Sequence, residues 1–371
     1  MKILGPLDPG RNPPYLIWLT TARCNASCRH CFYRERMAAA PRDELLTEEL
    51  LTFFSRYGPL QYLTLGGGEP SLRDDLPEVI AAAAGECRLK HLNFITNGFL
   101  PSTIAGQVGD ILAGTSSLAV TVTLSLDGME RDHDGHRGVE GGFRRSLETL
   151  ALLKGIMADS PRLLVTVTTV YSADTASGVE ELHDFVFREL RLPHKIILHR
   201  DRGNWKIPGP GVEVERFLAV ARRFEEDYDR IRPRSFGPFG AMKRALDHLR
   251  LDVLEEISSG GCPGWKCAAG RSGIVLTESG ELWPCEPLRR SFGNIRTAGY
   301  RVAPLLRSRE ARELMKTIGG GECRCVWECQ LRASLLYQPR FYPALLRGSL
   351  RRLRRSRRAG EISSTGPAPG R

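Results

Sequence analysis

The chain has 371 residues, 42% hydrophobic and 26% charged, which suits a soluble globular protein with room for two domains. No run of about 18 apolar residues occurs, which excludes a membrane-spanning helix, and Met1 to Pro14 lack the charged-then-apolar pattern of a signal peptide. The net charge of +10 is local: residues 338–371 hold nine Arg and one Glu, so the basic balance describes a tail and not a nucleic-acid-binding body.

The first predicted strand, Tyr15 to Thr21, runs into Arg23-Cys24-Asn25-Ala26-Ser27-Cys28-Arg29-His30-Cys31-Phe32-Tyr33, with cysteines at C-x3-C-x2-C. Three thiolates can hold three irons of a [4Fe-4S] cube, leaving the fourth iron open to a small molecule. Structural zinc would want four ligands and closed geometry. Further strands are expected at Gln61 to Leu65, His91 to Thr96, Ala119 to Leu126, Arg162 to Val170 and Lys195 to His199. Helical patterns lie between them at Thr47 to Tyr57, Asp74 to Ala84, Pro101 to Leu112, Phe143 to Met157 and Gly178 to Leu190, with Thr47 as an N-cap. Six strand–helix alternations imply a parallel sheet with helices outside.

The motifs fall at the ends of these strands. Gly67-Gly68-Glu69-Pro70 ends the second: the glycines permit close backbone approach and Glu69 offers an acceptor for an ammonium. A tight β–α turn is the plainer reading of the same residues. Asn97 ends the third strand; Ser125 and Asp127 end the fourth, with side chains suited to ribose hydroxyls. Arg137 can pair with a carboxylate bidentately or cap a helix. Tyr171, His199, Arg200 and Asp201 lie at or beyond the ends of the fifth and sixth strands, where chemistry on a barrel collects. They are expected to orient substrate or move a proton, against the plainer reading that they satisfy loops.

The cysteine loop with Gly67-Gly68-Glu69-Pro70, Thr96-Asn97-Gly98 and Ser125-Leu126-Asp127-Gly128 resembles the radical S-adenosylmethionine (radical SAM) superfamily over about residues 15 to 205. The resemblance implies a partial (β/α)6 barrel, a TIM-like α/β fold. It also implies a SAM-binding [4Fe-4S] cluster on Cys24, Cys28 and Cys31, and S-adenosylmethionine as cofactor. Phe32, Gly67, Gly68, Glu69, Asn97, Ser125, Asp127 and Arg137 would form the cofactor pocket, with Glu69 on the methionine amino group. His30 stands where the family usually has an aromatic residue.

A Gly/Pro-rich linker, Gly203 to Gly211, leads to charged helical sequence from Val212 to Ile257. Ile274 to Thr277 and Glu281 to Trp283 then read as a β-hairpin about Glu278-Ser279-Gly280, with Cys267 and Cys285 near its open end. This part resembles the twitch form of the SPASM auxiliary-cluster domain, a small α+β unit. The resemblance implies one auxiliary [4Fe-4S] cluster on Cys267, Cys285 and two of Cys323, Cys325 and Cys329. The pair stays open, Cys262 is a further possible ligand, and a zinc ribbon is the competing reading. Cys87 reads as a plain buried thiol. Ten cysteines without an export signal point to ligation in a reducing compartment, the cytoplasm.

From Tyr337 onward, Phe341, Leu345, Leu346, Leu350 and Leu353 recur at helical spacing among arginines. Two readings stand: a docked helix with a solvated basic face, or a peripheral helix on anionic membrane. Ser363 to Arg371 reads as a disordered end. The domains expected are a lead-in at 1–14, a core barrel at 15–205, a helical linker at 206–257, the auxiliary-cluster domain at 258–336 and the tail at 337–371. The expected function is reductive cleavage of S-adenosylmethionine and hydrogen abstraction from a C–H bond. The substrate would be a small or lipid-linked metabolite undergoing dehydrogenation, with an electron donor such as flavodoxin or ferredoxin. The alternative is a ribosomal-peptide maturase with a separate recognition partner.

Overall fold

The strand-forming runs of the sequence assemble into one sheet in the order His194–Leu198, Leu163–Tyr171, Ala119–Ser125, His91–Thr96, Tyr62–Gly67, Tyr15–Thr21, Gly273–Leu276, Leu282–Trp283. The structure, a computed structural model, describes residues 12–38, 43–201, 204, 207–231, 237–261, 264–323 and 325–364, with main chain alone at 231, 237–240, 322 and 354–364. Most of the 1–14 lead-in, part of the Gly203 to Gly211 linker, Cys262 and the chain after residue 364 lie outside the described residues.

Strands β1 (Tyr15–Thr21), β2 (Tyr62–Gly67), β3 (His91–Thr96), β4 (Ala119–Ser125), β5 (Leu163–Tyr171) and β6 (His194–Leu198) run parallel. Helices cross between them on the outer face, as parallel pairing requires. The helix Thr47–Tyr57 shows why they dock: Leu50, Phe53, Phe54 and Tyr57 recur at i, i+3, i+4 and are all buried. Each such side chain contributes about 1.5–3 kcal/mol by leaving water. Thr47 is not its N-cap. Its hydroxyl donates to Asp75 Oδ2 at 2.8 Å, and the helix is entered at Leu46, whose N–H donates to Glu49 Oε2 at 2.9 Å. The carboxylate three residues on satisfies the free first-turn donor better than a hydroxyl aimed at another helix.

The hairpin formed by β7 (Gly273–Leu276) and β8 (Leu282–Trp283) belongs to the same sheet. Strand β7 pairs parallel with β1 from Tyr15↔Gly273 to Trp18↔Leu276. The first strand therefore lies inside the sheet, with the motif-bearing loops of β1 and β2 on one side of it and the hairpin cysteines on the other.

Two long helices, Val214–Ile231 and Gly237–Ser258, close the far side against β6. The tail is helical from Tyr342 to Ser364. Its Leu345 is buried, and a Cβ on Gly348 would stand 3.0 Å from Ala245 Cβ, so the tail lies closely on the 237–258 helix. Among the described residues no helix is long and apolar enough to cross a membrane.

Candidate functional site

The cysteine loop leaves β1 at an irregularity. Leu19 pairs with Gly66 but Thr21 with Gly67, so Thr20 is an extra residue that bends the strand end. Glu44 then holds the bend, accepting from Thr21 Oγ1 at 2.8 Å and from the Ala22 N–H at 2.7 Å. Cys24 and Cys31 are half-buried and Cys28 is buried. Burial pushes the Cys24 thiol up to about 12, so a metal binding there must displace its proton.

The glycines after β2 serve this loop. The Gly68 N–H donates to Thr21 O at 2.8 Å and the Glu69 N–H to Arg23 O at 2.9 Å. A Cβ on Gly68 would lie 1.9 Å from Arg23 O, so only glycine lets the two strand ends meet. The close approach they permit is thus to the main chain that carries Cys24. From the other side, the Ser27 N–H donates to Arg137 O at 2.9 Å and the Arg29 N–H to His136 O at 3.0 Å, at the end of the helix Glu130–Arg137. Gly138 closes that helix at φ 66, and a Cβ there would be 2.1 Å from Ser27 Oγ.

Glu69 is 2% exposed. Its Oε1 accepts from Ser71 N–H at 3.2 Å, Ser71 Oγ at 2.7 Å and Thr96 Oγ1 at 2.8 Å, and its Oε2 from the Asn97 N–H at 2.8 Å. Burial raises its carboxyl pKa, against the pull of these donors. Asn97 in turn donates to Asn25 Oδ1 at 2.7 Å, tying β3 to the cysteine loop.

Asp127 and Arg137 differ from expectation. They pair with each other, Arg137 Nη2 lying 2.6 Å from Asp127 Oδ2, and the Val170 N–H takes Asp127 Oδ1 at 2.9 Å. Arg137 Nη1 also faces Cys28 Sγ at 3.6 Å. Burial pushes the Asp127 carboxyl up, but Arg137 and His30 outweigh it and hold it below the usual range. A carboxylate that is 1% exposed needs such a partner, since an unpaired buried charge is costly. Ser125, the last residue of β4, is half-buried.

Of the four residues expected to meet substrate, the structure brings one to the loop. The His199 ring stands edge-on to that of His30 at 6.5 Å, and His30 Nε2 is 3.4 Å from Asp127 Oδ2. Burial lowers the His30 pKa to about 4, so it is neutral. Tyr171 points to the helical side, 1% exposed, against Phe217 at 5.5 Å. An odd-numbered strand position shares the outer face with Val165 and Val167, which alternation predicts once the register is known. Arg200 is committed to the C-terminal loop: it donates to Val326 O at 2.8 Å and lies 4.6 Å over the Trp327 ring. Asp201 Oδ1 accepts from the Asn204 N–H at 2.8 Å, forming a turn.

The later cysteines differ in their surroundings. Cys323 makes thiol hydrogen bonds with both Cys267 and Cys325, which raise the pKa of each, and Cys285 acts electrostatically on Cys325. Cys329 is exposed and its electrostatic neighbours are Glu286, Arg200 and Glu328, none of them a thiol. Among the described residues no three His, Cys, Asp or Glu side chains close on one ion. Cys87 is a core thiol, its Sγ 3.0 Å from Phe54 O.

A wall joins the two groups. The Phe32 and Trp327 rings meet edge-on at 5.6 Å, Trp327 Nε1 donates to Glu286 Oε2 at 2.6 Å, and Arg200 covers Trp327. A cleft of about 320 Å³ opens here, lined by Phe32, Arg36, Trp283, Glu286 and Arg289 among others. A wider hollow of about 550 Å³ beside Glu130 and Gly138 has no cysteine in its lining. Sequence reasoning passed over Trp327 and Glu286, although each sits within two residues of a cysteine already singled out.

Residues 18–186, just under half of the chain, match the family model of the Radical SAM superfamily. The chain is 32% identical to the Fe-coproporphyrin III synthase of Methanosarcina barkeri over 140 residues, 37% of this chain and 33% of that protein. It is 25% identical to the AdoMet-dependent heme synthase of the same organism, over 78% of this chain and 82% of that protein. It is 27% identical to the mycofactocin maturase MftC of Mycolicibacterium smegmatis, over 84% and 74%. The match thus spans a third of the first relative and most of the other two. Among solved structures, native anSMEcpe with bound AdoMet and Cp18Cys peptide has the same fold, with TM-score 0.58, 17% identity, and coverage of 91% of this chain and 98% of that one.

Proposed function

We propose that this chain, a radical SAM iron–sulfur enzyme over residues 18–186, dehydrogenates a small or lipid-linked substrate seated between its two cysteine groups. The observation that carries the reading is the wall Phe32–Trp327–Arg200, which runs from the first cysteine loop to the second. The donor set fits: three thiols stand on one loop, as a cube with an open iron needs, and a second set of cysteines brackets and follows the hairpin. With cluster and S-adenosylmethionine bound, the site supplies a 5′-deoxyadenosyl radical able to take hydrogen from carbon; the second group offers a place for the electron that a two-electron oxidation leaves over.

Cys24, Cys28 and Cys31 hold the first cluster, and Cys267, Cys285, Cys323 and Cys325 the auxiliary one. Arg137 faces Cys28 and offsets its negative charge once deprotonated. Glu69 presents the turn that meets the methionine amino group, and Gly67, Gly68, Asn97, Ser125 and Phe32 complete the pocket. Asp127 holds Arg137 and His30 in place. His199 is the strand-end residue left to touch substrate. Residues 15–205 and 258–336 act as two units that share the β1–β7 seam. An electron donor such as flavodoxin or ferredoxin drives the cycle.

The test is anaerobic reconstitution followed by iron counting and incubation with S-adenosylmethionine and dithionite. About eight irons and 5′-deoxyadenosine are expected. Cys325→Ala should lose about four irons while Cys329→Ala keeps them all. Zinc at the second group, or no 5′-deoxyadenosine, would refute the reading.

A peptide substrate is the second reading. It is favoured by the alignment with a protein named as a maturase over 84% of this chain. The two separate on product: mass change in a small peptide supplied with its recognition partner, against turnover of a free metabolite.

A further inference from the structure

We propose that the β7–β8 hairpin is a strut between the two cysteine groups, with Glu278 as the positioning residue through which the second group sets the geometry of the first. The inference rests on the reading that both groups hold iron.

One end of the strut grips the first loop. Glu278, at the hairpin turn, is 0% exposed. Its carboxylate accepts from the Tyr33 hydroxyl and, at Oε1, from Arg36 Nε at 2.7 Å. Tyr33 stands two residues after Cys31 and is itself buried. Arg36 also donates to Ser279 Oγ at 2.9 Å and lies 5.1 Å over the Trp283 ring of β8. Beyond the hairpin, Arg289 donates to Phe32 O at 2.8 Å. Four side chains of the hairpin and the segment after it, Glu278, Ser279, Trp283 and Arg289, therefore hold the loop residues 32–36. The other end of the strut is Cys285, two residues after β8; next to it Glu286 accepts from Trp327 Nε1 at 2.6 Å, two residues after Cys325.

The strut has little freedom between its ends. Strand β7 is fixed in the sheet by four pairings with β1, the strand that delivers Cys24. The Glu278 carbonyl accepts from the Leu45 N–H at 2.7 Å. A displacement at Cys285 cannot be absorbed by bending so short a hairpin, and reaches Tyr33 instead. Simple anchoring would be met by apolar packing. A buried carboxylate holding a hydroxyl and a guanidinium fixes direction as well as distance, because hydrogen bonds are directional and packing is not.

The experiment is a double-variant cycle on the reconstituted holoenzyme. Its readouts are S-adenosylmethionine binding and the electron paramagnetic resonance signal of the reduced first cluster. Cys285→Ser, which opens the second site, should weaken S-adenosylmethionine binding about tenfold, within the range of coupled sites. Glu278→Gln should do the same and alter the first-cluster signal in the same direction, with the first cluster's irons retained. The double variant should bind no more weakly than either single one, since both cut one connection. Tyr33→Phe, which deletes one hydroxyl, takes the place of Glu278→Gln in the cycle if that protein does not fold. Unchanged affinity in either single variant, or losses that multiply to about a hundredfold, would overturn the strut. A wild-type protein that holds only about four irons would instead refute the reading beneath it.

Discussion

Glu69 spends its carboxylate on its own backbone and neighbours. Four donors converge on it at 2.7–3.2 Å. Glu69→Ala leaves buried N–H and O–H groups of Ser71, Thr96 and Asn97 without an acceptor. Since each unsatisfied group costs about 1–3 kcal/mol, a stability loss of about 2 kcal/mol or more is expected in urea titration of the apo protein. S-adenosylmethionine binding should fall too, with iron content kept, because Glu69 touches no thiol. Gly68→Ala is the harsher change. Its Cβ would meet main chain, Arg23 O, which cannot step aside as a side chain would. The loop should shift, and iron at the first site should be lost on reconstitution while the second site still fills.

The helix Thr47–Tyr57 and the segment after the hairpin are joined by one ion pair. Arg296 Nε and Nη2 reach Glu49 Oε1 and Oε2 at 2.6 and 2.8 Å, and Tyr300 donates to Oε1 at 2.9 Å. The Arg296 hydrogen bond, first among several, lowers the Glu49 carboxyl to about 2. Its folded-state value lies below the unfolded one of about 4.3. The stability it contributes is therefore complete above that value and drains away as the pH falls toward 2. A Glu49→Gln variant should be less stable than the parent at pH 7, with the gap narrowing below about pH 4; thermal melts showing no gap, or one that does not change with pH, would mean that the pair is idle. The tail helix gives a second test at this scale. Leu345 and Gly348 face the 237–258 helix, while Leu346 and Leu350 are 64% and 55% exposed. Arg347 and Arg351 share that outer stripe. If the stripe meets lipid, vesicles containing anionic lipid should pellet the full chain more than a chain ending at Tyr337, and salt should weaken the effect. Equal pelleting leaves it an ordinary docked helix.

Across the whole molecule, buried charge holds the closing helices to the sheet. Asp247 is 2% exposed and meets Lys195 of β6 at 2.9 Å, Arg244 at 3.1 Å and Arg332 at 3.4 Å. Glu328 continues the chain, meeting Arg250 at 3.0 Å and Arg200 at 3.7 Å, beside the loop that carries Cys325. Removing one partner of a buried set leaves the rest uncompensated, at about 3–5 kcal/mol. Asp247→Ala should show that loss in equilibrium denaturation, and replacing Lys195 as well should recover part of it. Full stability in Asp247→Ala would mean that water reaches the network.

Much of the site was legible in the chain itself. The C-x3-C-x2-C spacing, the Gly-Gly-Glu turn and the strand–helix alternation are local, and local chemistry is written in adjacent residues. The sequence alone determined the parallel sheet, the first cysteine group and the helix positions to within a few residues. Partnership is different, because it depends on which distant groups the fold brings within hydrogen-bond reach. That Asp127 pairs with Arg137, that Tyr171 turns outward and Arg200 clamps Val326, follows from register and from helices far along the chain. The surroundings of the late cysteines are likewise tertiary: Cys323, Cys325 and Cys329 lie within seven residues and look alike in sequence, but Cys323 acts on Cys267 and Cys325 while Glu286 stands first among the groups acting on Cys329. The hairpin shows both sides. Its turn was plain from Glu278-Ser279-Gly280, but its place beside β1, and Glu278 under Tyr33, were decided by pairings between residues 245 or more apart in the chain.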